Sequence, residues 1–153
     1  MSNLSEVALT AIKAALDGGR MYWFSGAVPA SAADALDMVT EHTQLVEMTE
    51  SGDGLTGLTF DPPAGDSMLK AAAEAWTGLV EFDGAEDAAT TLTATFYRFC
   101  AAGDDGRGAA TGPRLQGTIG PAGSDIPMAS PDLTANGTNT QGVSYFAVIE
   151  SAS

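Results

Sequence analysis

A chain with one histidine and one cysteine has few ways to do chemistry. His42 stands in Thr40-Glu41-His42-Thr43, and a zinc centre needs three or four His, Cys or carboxylate ligands, so it reads as a structural or surface histidine. Cys100 closes an apolar stretch, where a thiol packs as a small hydrophobe rather than acting as a nucleophile paired with a base. Asp53-Gly54 and Asp104-Asp105-Gly106 place carboxylates together, but the alternating ligands and terminal Glu of a calcium loop are missing, and turn chemistry explains Asp-Gly by itself. Glu86-Asp87 could supply an acid–base pair on paper, and a solvated turn is its plainer reading. Residues 117–123 (GTIGPAG) are glycine-rich yet fit neither the phosphate loop nor the dinucleotide fingerprint. Asn136-Gly137-Thr138 matches a glycosylation acceptor with no secretory signal beside it. The expectation is a protein without catalytic residues, metal or cofactor.

Charge narrows the partners. Twenty acidic residues stand against six basic ones, for a net charge of −14. Nucleic-acid binding needs clustered Lys and Arg to displace counterions, and here Lys13, Arg20, Lys70, Arg98, Arg107 and Arg114 are scattered singly. Neither nucleic acid nor an anionic membrane is expected as a partner. Strong acidity favours solubility and opposes self-association at high local concentration. Cys100 has no partner for an internal disulfide, no stretch nears the roughly 20 apolar residues of a membrane span, and the first residues lack a signal-peptide pattern, so synthesis in the cytoplasm without export is expected.

The elements that would carry such a surface follow from periodicity. Asn3 and Glu6 form a capping-box variant, and Leu4, Ala8, Leu9, Ile12 and Leu16 share one side of a helical wheel until Gly18-Gly19 ends it. The spacing predicts an amphipathic helix over 4–17, and residues 1–19 are read as an arm ahead of a domain spanning 20–153. Strand character follows at 20–26, 44–49, 55–60 and 77–82, with a helical turn or a loop at 32–38. Residues 68–76 (MLKAAAEAW) carry helix propensity. A strand over 91–100 would send Leu92, Ala94, Phe96, Arg98 and Cys100 one way and Thr91, Thr93, Thr95, Tyr97 and Phe99 the other. After a Gly/Asp-rich loop at 101–112, strands are expected at 115–119 and 143–150, the last apolar on both faces and so suited to burial between layers. Short strands punctuated by Gly and Pro predict a mainly β protein, an antiparallel β-sandwich or jelly-roll-like domain with an N-terminal amphipathic helix.

Three stretches, taken in order, carry a family likeness. They are 14–19 with Phe24-Ser25-Gly26 and 28–32; then Thr93-Ala94-Thr95-Phe96-Tyr97-Arg98-Phe99; then 116–120 through 123–126, closing with Val143-Ser144-Tyr145-Phe146. In this order and spacing the chain resembles small virion structural proteins of tailed bacteriophages and prophages, departing at 68–75, where a strand would be expected. The resemblance implies a β-rich head or tail component without catalysis. Within that class a capsid decoration protein is expected, located in the virion, binding the major capsid protein and its own copies as a homotrimer. The alternative is a tail- or fibre-associated module that binds a host-surface glycan on aromatics such as Trp23 or Trp76. The candidate contact residues are Leu9, Ile12 and Leu16 on the helix and Tyr22, Trp23 and Phe24 on the strand after it, because three consecutive aromatics on a strand must point to both faces.

Overall fold

The computed structural model describes residues 4–150, so Asn3 and its half of the capping pair lie outside the described residues. The chain is mainly β, and α1 (Leu4–Leu16) is the single helix among the described residues. Glu6 in its first turn and Lys13 in its last complement the helix dipole. Leu9 and Leu16, two turns apart, are both 0% exposed. Gly18 stops the helix at φ +87°, and at Gly19 a Cβ would stand 1.9 Å from the Cys100 carbonyl oxygen, so only glycine lets the chain turn this close to the sheet. Gly18 N–H then donates to Leu58 O and Leu58 N–H to Gly19 O, each at 2.8 Å. Through Leu9 and Leu16 the helix packs into the same core as the sheet.

Eleven strands follow among the described residues: β1 (Arg20–Ser25), β2 (Thr43–Glu50), β3 (Ser67–Leu69), β4 (Trp76–Gly84), β5 (Thr91–Thr93), β6 (Phe96–Cys100), β7 (Arg114–Gly120), β8 (Ile126–Pro127), β9 (Asp132–Thr134), β10 (Thr140–Val143) and β11 (Ala147–Ile149). Seven form one sheet in the order β10-β4-β2-β1-β6-β7-β8, antiparallel except for β7 and β8, while β3–β11 and β5–β9 make two-stranded ribbons. Register slips where Trp23 faces Val46 but Phe24 faces Gln44, leaving Leu45 extra in β2, and the β2–β4 register slips across the same residue. Such bulges bend a strand and strengthen its twist, which curls the sheet. The bulge also explains why neighbours Leu45 and Val46 both enter the same core.

The inner face of the curl holds that core. Trp23, Met48, Trp76, Val80, Tyr97 and Phe99 from the sheet meet Leu9 and Leu16 of the helix, Met68 of β3 and Leu133 of β9. Phe60, Trp76, Phe99 and Phe146 meet edge-on or tilted with ring centroids 5.1–6.3 Å apart, a geometry worth about 0.5–1.5 kcal/mol per pair beyond area burial. On the outer face Tyr22, Phe24, Phe96 and Cys100 form a smaller cluster with Leu36 and Met38 from the 26–42 loop. The aromatic run therefore does divide between two faces.

Four expected segments differ. Residues 68–76 do not form a helix: Leu69 O accepts from Asp61 N, Lys70 N donates to Phe146 O and Ala71 N donates to Thr59 O, so long-range pairing overrides local propensity and only a turn remains at 71–74. The 91–100 strand is two strands, because Thr95 N–H leaves to bond Phe24 O, which moves Leu92 and Ala94 to the inner core while Phe96 and Cys100 face outward. The closing strand is also two, β10 in the large sheet and β11 in a ribbon, with Tyr145 exposed and Phe146 buried between them. It is not buried between layers, since Ile149 is exposed. Residues 55–60 contribute only isolated bridges at Leu58 and Phe60, after Asp53 has folded 53–56 into a turn by accepting from Leu55 and Thr56 N–H.

Candidate functional site

Several titratable residues are engaged in hydrogen bonds within the chain. His42 accepts Asp37 N–H at Nδ1 (3.0 Å), so its proton sits on Nε2, which donates to Ala27 O at 2.8 Å. Its ring meets Phe96 edge-on at 5.7 Å. Burial, and then Asp104, push the Cys100 thiol up to about 12, so it stays protonated near neutral pH. Asp104 accepts from Gly106 N–H and Asp105 from Arg107 N–H, closing the 101–113 loop as Asx turns. Glu86-Asp87 lies in an exposed turn, and Asn136 Oδ1 is taken by its own turn, accepting from Thr138 and Asn139 N–H. Among the described residues no group of three His, Cys, Asp or Glu side chains is placed to hold a metal ion.

Beneath the outer loops lies a polar clasp. Arg98 on β6 is 0% exposed and donates to Gln116 Oε1 (2.9 Å), Gly106 O (2.7 Å) and Ser31 O (3.2 Å). Burial and then the neighbouring Arg114 guanidinium lower its pKa from the arginine value, and it remains a cation. Arg114 grips Asp104 with both arms, at 2.7 and 2.8 Å, and also donates to Ala32 O. That grip, foremost the hydrogen bond, holds the Asp104 carboxyl below its usual range. One clasp thus ties loops 26–42 and 101–113 to β6 and β7. The remaining cations are also engaged: Lys13 with Asp17, Arg20 with Glu47, Arg107 with Asp83, and Lys70 with the carbonyls of Ala71 and Glu74. Every basic side chain is bonded within the chain, so the acidic excess is left to solvent and partners.

The six residues expected to contact another subunit are brought into the chain's own packing. Leu9, Leu16 and Trp23 join the inner core with Ile12 half-buried against it, and Tyr22 and Phe24 fill the outer cluster. In this conformation they offer a partner almost no apolar surface. Trp23 and Trp76 are each 1% exposed, so neither forms a surface platform for sugars.

One accessible feature is a seam. The curl brings the two ends of the sheet near each other: a cleft of about 400 Å³ is lined by Ile126, Pro127 and Met128 from one edge and by residues 141–145 from the other, with Trp23 of the central strand at its floor. Tyr145, 71% exposed, stands on its rim. A second cleft of about 450 Å³, lined by Trp76, Thr77, Lys70 and Glu74, shares residues 142–144 with the first. A third, polar groove lies between Arg20, Glu47, Asp53 and Glu81. Sequence reasoning did not find the seam. Its one local signal is Pro127 in a short extended segment, since proline in a sheet belongs at an edge.

Comparison with known proteins yields no matching family model, no matching characterised protein and no matching solved structure. No helix among the described residues is long and apolar enough to cross a membrane.

Proposed function

We propose that this chain is a structural protein of a tailed-phage virion, and specifically a capsid decoration protein that stabilises the head through contacts with capsid subunits and with its own copies. The observation that carries this reading is the seam: an open strand edge beside two clefts. Acidity supports it, because a cement protein must stay soluble and unassembled until it meets the shell, and a net charge of −14 opposes premature self-association. The ordered resemblance to phage virion proteins supports the virion setting. The finer fold belongs to the same proposal, with the curled sheet as one layer of a β-sandwich and the helix and two ribbons as the other. The tail-associated, glycan-binding alternative loses support with the burial of both tryptophans.

The test is copy number. Quantitative mass spectrometry of purified particles carrying the chain is expected to give near-stoichiometric amounts relative to the major capsid protein. A handful of copies per particle, or none, would sink the decoration reading.

A further inference from the structure

The two edges of the large sheet are built differently. β8 is two residues long; Met128 N–H bonds inward to Gly120 O, and the outward position falls on Pro127, which has no N–H to give. That edge is blunted. β10 pairs residues 140–143 with 76–79 on one side only. Val80 N–H donates to Asn139 O, which sets the alternation: Asn139, Gln141 and Val143 point their backbone groups at β4, while Thr140 and Gly142 point theirs outward. Both outward residues are exposed, and no described strand pairs with β10 on that outward side.

We infer that β10 accepts an extended, basic segment of another protein as an added strand, its backbone bonding Thr140 and Gly142 and an apolar side chain entering the cleft floored by Trp23. An open edge supplies the hydrogen bonds, and clefts beside it select side chains. Charge selects the occupant. All six cations are bonded internally, and the Trp23 cleft has Asp125 as its one charged lining residue. A second copy would bring −14 against −14, whereas a basic segment gains attraction and a faster encounter. This deepens the proposed structural role and rests on it only for the partner being a capsid subunit.

The probe is a fluorescein-labelled decapeptide of alternating Lys and Val, followed by anisotropy against the full chain, with a Glu–Val peptide as control. Saturable binding is expected that weakens with added salt, falls at least tenfold in Gly142→Pro and in Thr140→Pro, and stays within twofold in Glu86→Gln. In the unmutated chain, amide exchange at Thr140 and Gly142 is expected to slow when the peptide binds, a readout independent of how the variants fold. Three results would overturn the inference: unchanged exchange at both amides, equal affinity for the Glu–Val peptide, or a dimer in light scattering that Gly142→Pro abolishes, which would make a second copy the occupant. Peptide binding concerns the edge alone, so a particle with low copy number alongside intact peptide binding rejects the decoration role and leaves the edge site standing.

Discussion

The inner and outer faces of the curled sheet are covered by opposite chemistries. Inside, helix and ribbons press aromatic and aliphatic side chains onto Trp23, Trp76 and Phe99, and most of the stabilisation is burial. Outside, the loops at 26–42 and 101–113 hold on through charged hydrogen bonds from Arg98 and Arg114 over a small aromatic cluster. A dry core tolerates no gap, while a polar clasp depends on every partner being present and on pH. Most large apolar side chains of both sheet faces are buried, and exposed ones such as Val39, Leu55 and Tyr145 lie in the connecting loops.

The largest effect should come from the inner face. Trp23→Ala removes the cleft floor and a core ring together, and is expected to cost about 3–5 kcal/mol in urea unfolding. A loss under 1 kcal/mol would mean that the inner core is not packed as described.

Arg98→Met should cost less, about 2–4 kcal/mol, by stranding the Gly106 and Ser31 carbonyls and the Gln116 amide oxygen. Amide exchange should quicken in both outer loops and not in β2 or β4; uniform quickening would contradict a local clasp.

Acid should distinguish the faces again. Asp104, gripped by Arg114, and Asp37 and Asp53, bonded chiefly by Thr40 and Thr56, all have lowered pKa values, that of Asp53 to about 2. Their contribution is present in full above the unfolded carboxylate value of about 3.9 and is lost as pH falls through the folded values. Stability should hold from pH 7 to 5 and decline between about pH 4 and 2. Asp104→Asn should lower the neutral-pH plateau by about 1–2 kcal/mol and flatten part of that decline. A variant with the unaltered acid profile would show that the Arg114 grip does not matter.

The smallest effect belongs to the edge. Gly142→Pro removes an outward N–H and should shift stability by about 1 kcal/mol or less, since proline is tolerated where an edge N–H faces solvent. A loss near that of Trp23→Ala would mean that this edge is structural.

Much of this division was legible in the sequence. The amphipathic pattern of 4–17 and the run Tyr22-Trp23-Phe24 located a helix and a two-faced strand. What local pattern could not reveal was destination. Alternation across 91–100 looks continuous, yet Thr95 N–H bonds Phe24 O, a partner 71 residues away, and the face changes there. Residues 143–150 alternate just as evenly, and only the burial of Phe146 and the exposure of Tyr145 divide them. The seam depends on a register slip at Leu45 that curls the sheet, and no local motif announces the meeting of residues 126–128 with 141–145. Apolar residues such as Leu9, Leu16 and Trp23 look alike in sequence whether they serve a core or an interface.

The most direct measurement of the central claim is a cryo-EM map of particles carrying this chain. The account predicts a partner strand lying along residues 140–143, paired with Thr140 and Gly142, with a side chain in the cleft above Trp23. A well-ordered copy on the shell whose β10 edge faces solvent would contradict it.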